Sequence, residues 1–349
     1  MTNFKVRVGI TQGDINGINY EVIIKTFQDN RVLEFCTPVI YGSPKVAAYH
    51  RKALNITSFN FNSIQSADEI AYHKANLINV LGDNIRVELG KSSQMAGEAA
   101  MLSLEAAVKD LQANKIDVLV TTPINRETTQ TEEFNFKGHT QFLMERFKIQ
   151  NTLIIMTSEM MKVGVVSGHV PLSEVTKHIT EENILKKLRM MNKALTVDFA
   201  IRKPRIAVLG LNPHAGDSGL IGKEELEIII PTIEKANKEG ILALGPFSAD
   251  SFFGSGSFSK FDGIMAMYHD QGIAPFKALN FDTGVNYTAG LPIIRTAPDH
   301  GTDYELAGLD QASPNSFREA VYMACNIFNN RKMHAELTKN PLPSYDVTD

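Results

Sequence analysis

The sequence predicts an α/β protein built around a mainly parallel sheet. Short apolar runs rich in Val, Ile and Leu alternate with amphipathic helical patterns along the chain, an order typical of parallel strands joined by helices. The apolar runs are nearly continuous, which indicates strands buried on both faces. The length of 349 residues favours two domains.

The predicted strands are short apolar runs that end at polar or glycine-rich segments. Helices are predicted between them, and the clearest spans 96–111, where Met101, Leu104 and Val108 recur at helical spacing. In chain order the strands are 6–10, 38–41, 117–121, 153–156, 162–166, 205–209 and 263–267. The other helices are about 20–27, 44–54, 141–147, 181–195, 223–239 and 316–331.

The composition excludes several classes of protein. Lys and Arg number 35 and Asp and Glu 39, and the net charge of −4 lacks the basic excess of nucleic-acid binding proteins. No apolar run approaches the ~18 residues that cross a membrane, and the sequence does not start with an apolar signal segment. Both cysteines, Cys36 and Cys325, have apolar neighbours typical of buried, unreactive thiols. We therefore expect a cytoplasmic protein with neither nucleic-acid nor membrane partners.

The segments that follow the predicted strands are candidate sites, because open α/β sheets bind ligands beyond the carboxyl ends of their strands. The first, 9–17 (GITQGDING), joins a strand to a helix but matches neither a GxGxxG fingerprint nor a P-loop. It is either a functional or a structural turn. In 138–140 (GHT), Thr140 could cap a helix, or His139, Thr140 and the backbone N–H groups could hold an anion.

Three histidines follow three different predicted strands: His169, His214 and His269. If these strands end at one edge of the sheet, the imidazoles could converge on a divalent metal with positions left open for a substrate. The alternative is three separate loop histidines in hydrogen bonds, because their spacing matches no short metal-binding motif. The remaining histidines with charged or polar helical neighbours are predicted at the surface: His50, His73, His178 and His334.

The segment 277–308 carries Lys277, Asn286 and Arg295, followed by DHGT at 299–302. These three side chains are hydrogen-bond donors that suit an anionic ligand, and Arg can bind a carboxylate or phosphate through two hydrogen bonds. The alternative is that Lys277 and Arg295 are solvated surface charges.

These segments together resemble the 4-hydroxythreonine-4-phosphate dehydrogenase (PdxA) family, which serves pyridoxal phosphate (vitamin B6) synthesis. The resemblance runs from residue 9 to about residue 328, with several long motifs in the same order. The most specific motifs are GHT at 138–140, GHVPL at 168–172, LNPHAG at 211–216, AMYHDQG at 266–272, GLPIIRT at 290–296 and DHGT at 299–302.

The resemblance implies a fold like that of the isocitrate and isopropylmalate dehydrogenases, with two α/β/α domains that flank a cleft. In that architecture the first domain is discontinuous, here 1–130 plus 280–349 with the nucleotide loop. The second, 131–279, carries metal and dimer contacts. The protein is expected to be a homodimer with its active site near the subunit interface.

The resemblance also implies roles for individual side chains. A divalent metal (zinc, magnesium or cobalt) would be bound by ligands from both subunits: His169, His214 and His269. A small phosphorylated four-carbon acid would be contacted by His139, Thr140, Lys277, Asn286 and Arg295. The catalytic base remains open between Asp270 and Lys277.

NAD is the implied cofactor, bound without a GxGxxG site. Segment 300–308 looks like the nucleotide loop of the wider dehydrogenase group, with His300, Gly301 and Thr302 at its start. Glu305 takes the place of a carboxylate that faces the adenosine ribose. A carboxylate there accepts hydrogen bonds from the ribose diol and repels a 2′-phosphate, which favours NAD over NADP.

The sequence departs from the family in two loops. The family's first turn, G-D-P-A-G-I-G-P-E, is GDINGINYE at 13–21, without the two prolines and one glycine. The nucleotide loop has Asp303 and Tyr304 where Ala and Leu are common. Neither departure removes a metal or anion residue, so they bear on cofactor contacts and fine substrate choice.

The activity implied is oxidation of 4-phosphooxy-L-threonine by NAD, with decarboxylation to 3-amino-2-oxopropyl phosphate. An alternative in the same fold is a dehydrogenase of phosphorylated D-threonate or D-erythronate. An alternative of another class is a metal-dependent hydrolase or a phospho-ligand binding protein. The sequence His300-Gly301-Thr302 argues against that last class.

Overall fold

The computed structural model describes residues 5–82, 84–130, 136 and 138–340, and it confirms the α/β class. The strands of this part of the chain form one mixed sheet of twelve. They are β1 (Val6–Thr11), β2 (Cys36–Gly42), β3 (Asn62–Ile64), β4 (Asn76–Asn79), β5 (Val118–Thr121), β6 (Leu153–Thr157), β7 (Lys162–Ser167), β8 (Ile206–Leu209), β9 (Ala243–Phe247), β10 (Gly263–Tyr268), β11 (Val285–Ala289) and β12 (Arg295–Pro298).

The predicted helices occur in the predicted order, and the structure adds four more, of which His269–Asn280 contains the predicted site residues His269, Asp270 and Lys277. The α-helices are α1 (Asn19–Gln28), α2 (Val32–Phe35), α3 (Pro44–Ala53), α4 (Gln94–Gln112), α5 (His139–Arg146), α6 (Val175–His178), α7 (Glu181–Lys193), α8 (Ile230–Lys238), α9 (Ala249–Gly254), α10 (His269–Asn280) and α11 (Asn315–Leu337). The predicted helices 181–195 and 223–239 are each an α-helix joined to one π-helical turn, at Ala194–Asp198 and Glu225–Ile229.

The sheet runs in the order β3-β4-β2-β1-β5-β12-β11-β6-β7-β10-β8-β9. The two outer parts of the sheet, called its wings, are parallel. In one wing β1 pairs with β2 and β5, and in the other β10 pairs with β7 and β8. Only the centre is antiparallel, where β11 pairs with β12 and β6, and β6 pairs with β7. The mainly parallel prediction is therefore confirmed, although the sequence did not reveal β11 and β12.

The C-terminal strands β11 and β12 insert between β5 and β6, which are consecutive in the chain. This is the arrangement in which a late segment completes an earlier wing of the sheet. The division into 1–130 plus 280–349 and 131–279 stays a prediction, and its boundary at 131–135 lies outside the described residues.

Helices cover both faces of the sheet because successive strand residues point to opposite sides. On one face, Val8 and Ile10 of β1 pack with Phe317 of α11. On the other, Val39 of β2 packs with Leu104 of α4. Burying each of these side chains stabilises the fold by about 1.5–3 kcal/mol, and the double coverage explains why the strands show no polar alternation.

The predicted surface position of His50 is wrong. His50 is 1% exposed, its Nε2 lies 2.7 Å from the Ile15 carbonyl oxygen, and its ring stacks on Tyr20. Burial lowers the pKa of His50 to about 4, so the ring is neutral near pH 7. Helical spacing explains the placement, because His50 lies one turn after the buried Val46 on the same face of α3.

The other predictions about exposure agree with the structure in most cases. His73 and His178 are exposed and His334 is partly buried. Cys36 and Cys325 are buried, free thiols as expected. In the portion of the chain that the structure describes, no helix has the length and apolar character needed to cross a membrane.

Candidate active site

Two adjoining cavities lie at the carboxyl ends of the central strands. The first has a volume of about 610 Å³ and is lined by residues that include His139, Thr140, Asn286 and Arg295. The second, of about 530 Å³, is lined by residues that include His269 and Lys277. Several residues line both cavities, so the two form one cleft: Arg126, Ile154, His169, Asn286, Pro298, His300 and Gly301.

Arg295 is a buried charge at the first cavity, and its partners are all neutral. It begins β12 and is 5% exposed. Its Nε and Nη2 donate to Thr121 Oγ1 at 2.9 and 2.6 Å. Its Nη1 donates to Asn286 Oδ1 at 3.2 Å and Thr288 Oγ1 at 3.1 Å, both on β11. The alternative of a solvated surface charge is therefore wrong for Arg295.

Burial lowers the pKa of Arg295 to about 10, so the guanidinium still carries its charge at neutral pH. Within the described residues no carboxylate pairs with it. A buried charge without a counter-ion is unfavourable by several kcal/mol. An anion in the cavity would supply the missing opposite charge.

The start of α5 also lines the first cavity. The helix begins at His139, and its N-cap is Gly138, whose φ of 144° is a conformation that other residues rarely adopt. Thr140 is therefore inside the first turn and does not cap the helix. Burial lowers the pKa of His139 well below its usual value, and the charges of Arg295 and Arg126 lower it further. His139 is thus a neutral donor or acceptor beside two cations.

Two of the three predicted metal ligands lie close together. His169 follows β7 and His269 begins α10, after strands paired in register at Ser167 and Tyr268. The two ring centroids are 5.6 Å apart. Partial burial, then the charge of Arg126, lowers the pKa of His169. This favours the neutral imidazole that a metal ligand must be.

His214 lies apart from this pair. It is exposed in a left-handed turn after β8, with φ of 53°, and it lines neither cavity. Among the residues described for the single chain, no group of three His, Cys, Asp or Glu side chains could hold a metal ion. The three-histidine site therefore stays a prediction, in which the third ligand comes from another subunit.

Asp270 and Lys277, the two candidate bases, have different surroundings. Asp270 is 84% exposed, and its Oδ1 lies 2.6 Å from His269 Nδ1. This contact leaves His269 Nε2 available for a metal, as in metal sites where a carboxylate orients the ligand. Lys277 is 40% exposed in the second cavity, and its Nζ lies 3.0 Å from Asp299 Oδ1. Lys277 is therefore the better placed to exchange a proton with a bound substrate.

Sequence reasoning missed several residues of the cleft. Asp299 has a side chain only 9% exposed, and burial raises its pKa while the hydrogen bond from Lys277 lowers it. Its Oδ2 accepts no hydrogen bond from the described residues. The position of Asp299 directly before His300 was the available signal. Three more have no motif of their own, because only the tertiary structure brings them here: Thr121, Arg126 and Thr288.

The predicted nucleotide loop packs on the first turn of the chain. His300 lines both cavities, with Nδ1 2.9 Å from the Gly301 carbonyl oxygen. The Ile18 amide donates to the Thr302 carbonyl oxygen at 3.1 Å. A Cβ on Gly17 would lie 2.3 Å from that same oxygen, so this position requires glycine. Glu305 is exposed on the loop.

The two unusual loops contact each other directly. The Tyr304 hydroxyl donates to Asp14 Oδ2 at 2.7 Å. Asn19 Nδ2 donates to the carbonyl oxygens of Asp14 at 3.0 Å and Pro123 at 2.8 Å. Asn16 Oδ1 accepts from the Glu88 amide at 2.8 Å. Two asparagines of the altered first turn, Asn16 and Asn19, and Tyr304 of the nucleotide loop therefore tie this turn to its neighbours through side-chain hydrogen bonds.

The sequence and the fold have well-defined relatives. Residues 34–324 match the family described as pyridoxal phosphate biosynthetic protein PdxA. A relative from Bacteroides thetaiotaomicron named 4-hydroxythreonine-4-phosphate dehydrogenase is 51% identical over 98% of this chain and 94% of its own. A relative from Clostridium botulinum, named provisionally as D-threonate 4-phosphate dehydrogenase, is 33% identical over 93% of this chain and 97% of its own.

Two solved structures named 4-hydroxythreonine-4-phosphate dehydrogenase share the fold. That from Klebsiella pneumoniae has a TM-score of 0.81 at 27% identity and covers 94% of this chain and 99% of its own. That from Burkholderia phymatum has a TM-score of 0.77 at 32% identity and covers 93% of this chain and 99% of its own. The fold and these relatives together define a dehydrogenase of the α/β class. More particularly, the chain belongs to the PdxA family of pyridoxal phosphate biosynthesis, which confirms the resemblance found in its sequence.

Proposed function

We propose that this protein oxidises 4-phosphooxy-L-threonine with NAD, as a homodimer that uses a divalent metal, and releases CO₂ and 3-amino-2-oxopropyl phosphate. The observation that carries the proposal is Arg295, a buried guanidinium with only neutral partners, in one cleft with His169 and His269. The name of the Bacteroides relative supports this substrate over the phosphorylated threonate.

The chain's residues fit a divalent metal. His169 and His269 would hold it together with His214 of a second subunit. When bound, the metal would act as a Lewis acid that makes the substrate hydroxyl easier to deprotonate. The Asp270 carboxylate, bonded to His269 Nδ1, would fix the orientation of that ring.

The other residues of the cleft bind and align the substrate. Arg295 supplies a positive charge to the anionic substrate, while Asn286 and Thr140 supply neutral donors. Holding both ends of the substrate fixes the carbon–hydrogen bond that is broken, which removes much of the entropic barrier to the reaction. Arg295 is buried, so its charge interacts with a bound anion more strongly than it would in bulk water.

Lys277, in its neutral amine form, is proposed to accept the hydroxyl proton, while the hydride leaves the same carbon for NAD⁺. The Asp299 carboxylate, 3.0 Å away, holds the Lys277 side chain in the cavity. The resulting β-keto acid then loses its carboxylate as CO₂, and the carbanion takes up one proton. The overall reaction produces one NADH for each substrate oxidised.

The loop at 300–308 is proposed to bind the nucleotide. His300 and Gly301 line both cavities and so place the loop next to the substrate. Glu305 is exposed on the same loop, free to accept hydrogen bonds from a ribose diol. We expect NAD to be used in preference to NADP.

An absorbance assay for NADH tests the proposal. The purified protein is supplied with zinc, magnesium or cobalt and with one of three substrates: 4-phosphooxy-L-threonine, 4-phospho-D-threonate or 4-phospho-D-erythronate. We expect NADH with the first substrate and its loss when a chelator removes the metal. NADH only with a threonate or erythronate substrate would assign the second candidate. Phosphate release without NADH from every substrate would contradict a dehydrogenase.

A further inference from the structure

Arg126 is an exposed cation that lines both cavities of the cleft and that the sequence did not single out. It lies in the loop after β5, where local hydrogen bonds fix the backbone. The Glu127 amide donates to Asn125 Oδ1 at 2.9 Å, and Thr129 Oγ1 donates to the Asn125 carbonyl oxygen at 3.0 Å. Asn125 therefore anchors the turn that carries the Arg126 side chain.

The guanidinium of Arg126 faces the start of α5. Its side chain lines both cavities, and a Cβ built on Gly138 would lie 3.8 Å from its Nε. Its positive charge lowers the pKa of both His139 and His169, so it lies within electrostatic range of each ring. Over the described ranges, no carboxylate forms an ion pair with Arg126, and its side chain donates no hydrogen bond.

Arg126 and Arg295 differ in the donors that they have left for a ligand. A guanidinium has five N–H donors. Arg295 commits four of them: one from Nε and one from Nη2 to Thr121, and two from Nη1 to Asn286 and Thr288. It therefore offers its charge and one N–H. Toward the described residues, Arg126 uses none of its N–H donors.

The start of α5 adds further donors next to Arg126. Its N-cap, Gly138, has no side chain, so no side-chain cap satisfies the first N–H groups of the helix. His139 and Thr140 of this turn line the same cavity. A helix start of this kind favours an anion because its N–H groups and its dipole point toward the ligand.

We infer that Arg126 is a further substrate-binding residue that, with the start of α5, holds the phosphate of the substrate and selects phosphorylated substrates. A phosphate dianion has three terminal oxygens, so it needs more donors than the single N–H that Arg295 has left. Two guanidinium groups on one cavity also match its two charges. This inference rests on the proposed phosphorylated substrate.

The test measures binding of inorganic phosphate itself, by titration calorimetry, to the wild-type protein and three variants. Arg126→Gln removes the charge, Arg126→Lys keeps the charge without the planar donors, and Arg146→Gln is the control. Arg146 is at the other end of α5, outside the cavity, where it pairs with Glu105. Arg126→Gln should weaken phosphate binding by about 10- to 100-fold, the loss expected for a hydrogen bond to a charged group. Arg126→Lys should lose less, and Arg146→Gln should match the wild type.

A kinetic comparison separates a phosphate contact from a general disturbance of the cleft. With Arg126→Gln, kcat/KM for 4-phosphooxy-L-threonine should fall mainly through a higher KM. The loss of kcat/KM with unphosphorylated 4-hydroxy-L-threonine should be at least about tenfold smaller, because only the electrostatic effect of Arg126 on His139 and His169 then changes. An equal loss with both substrates would overturn the inference.

Two outcomes of the calorimetry also overturn the inference: unchanged phosphate binding by Arg126→Gln, or no phosphate binding by the wild type. Calorimetry distinguishes this failure from failure of the proposed function, because it needs no turnover. Arg126-dependent phosphate binding by a protein that produces no NADH would support the phosphate site and contradict the dehydrogenase. NADH production by the wild type, with unchanged phosphate binding by Arg126→Gln, would support the dehydrogenase and contradict the phosphate site.

Discussion

The two ends of the cleft differ in how much of each a single chain provides. At one end, called the anion end because we propose that it binds the substrate anion, β5, β11 and β12 enclose Arg295. The start of α5 lines the same cavity. At the histidine end, His169 and His269 lie 5.6 Å apart by their ring centroids, while His214 is exposed on another loop. One chain therefore encloses Arg295 by its own tertiary fold, whereas the proposed metal site lacks a third ligand unless a second copy of the chain supplies His214.

Among the substitutions that test the two ends, replacing His214 should have the largest effect on activity. His214→Ala should reduce activity to background and lower the metal content, because it removes one of three ligands. The fold should be unaffected, since His214 is exposed. Metal analysis with circular dichroism checks this, and His178→Ala, another exposed histidine, is the control. Unchanged metal content in His214→Ala would remove His214 from the site.

Replacing Arg295 tests the anion end alone. Arg295→Gln should lower kcat/KM by about 10²–10⁴-fold, because removing one partner of a buried charge pair is unfavourable by about 3–5 kcal/mol. Bound metal should stay at the wild-type level, since the histidines are untouched. Arg295→Lys keeps the charge without the bonds to Thr121 and should recover only part of the activity. Loss of metal in Arg295→Gln would show that the two ends are not independent.

The proposed nucleotide loop, 300–308, lies beside both ends of the cleft. Replacing Tyr304 tests which contacts hold this loop in place. Tyr304→Phe removes the hydrogen bond to Asp14, a bond to a charged group that contributes about 1.5–3 kcal/mol. We expect the KM for NAD to rise by about tenfold or more, with little change in the KM for the substrate. Steady-state kinetics with each ligand varied in turn measures this, and Tyr49→Phe on the exposed surface is the control. Equal changes in both KM values would assign Tyr304 to general stability.

Glu305 should have the smallest effect, because it is exposed. Glu305→Gln should raise the KM for NAD by a few fold and leave the KM for the substrate unchanged. It should also narrow the preference for NAD over NADP, since the repulsion of a 2′-phosphate is lost. The ratio of kcat/KM for the two cofactors measures this. An unchanged ratio would exclude Glu305 from the ribose site.

The fold class and most strands of the parallel wings were predictable because their signal is local, whereas the prediction missed the strands β3, β4 and β9 at the edges. Continuous apolar runs mark strands such as β1 and β10, and their helices show clear periodicity. The central strands β11 and β12 carry polar functional residues such as Asn286 and Arg295 and lack that signal. Their pairing with β5 and β6 is set by contacts between distant segments.

The site was predictable where residues belong to motifs and not where only the fold assembles them. The motifs gave His139, His169, His269, Lys277 and Arg295, which line the cleft. The motifs could not predict the two threonines that bind Arg295, because β5 and β11 come next to Arg295 only in the folded sheet. They also misplaced His50, whose polar neighbours in sequence conceal its position on the buried face of α3.

Mixing two variants that should each be inactive tests most directly whether the proposed metal site is shared between subunits. His169→Ala and His214→Ala are combined under conditions that allow subunits to exchange, and heterodimers are verified by two different affinity tags. If the ligands come from both subunits, each heterodimer has one intact site, and activity should recover to about one quarter of the wild-type value. A mixture that contains heterodimers but stays inactive would contradict a metal site shared between subunits.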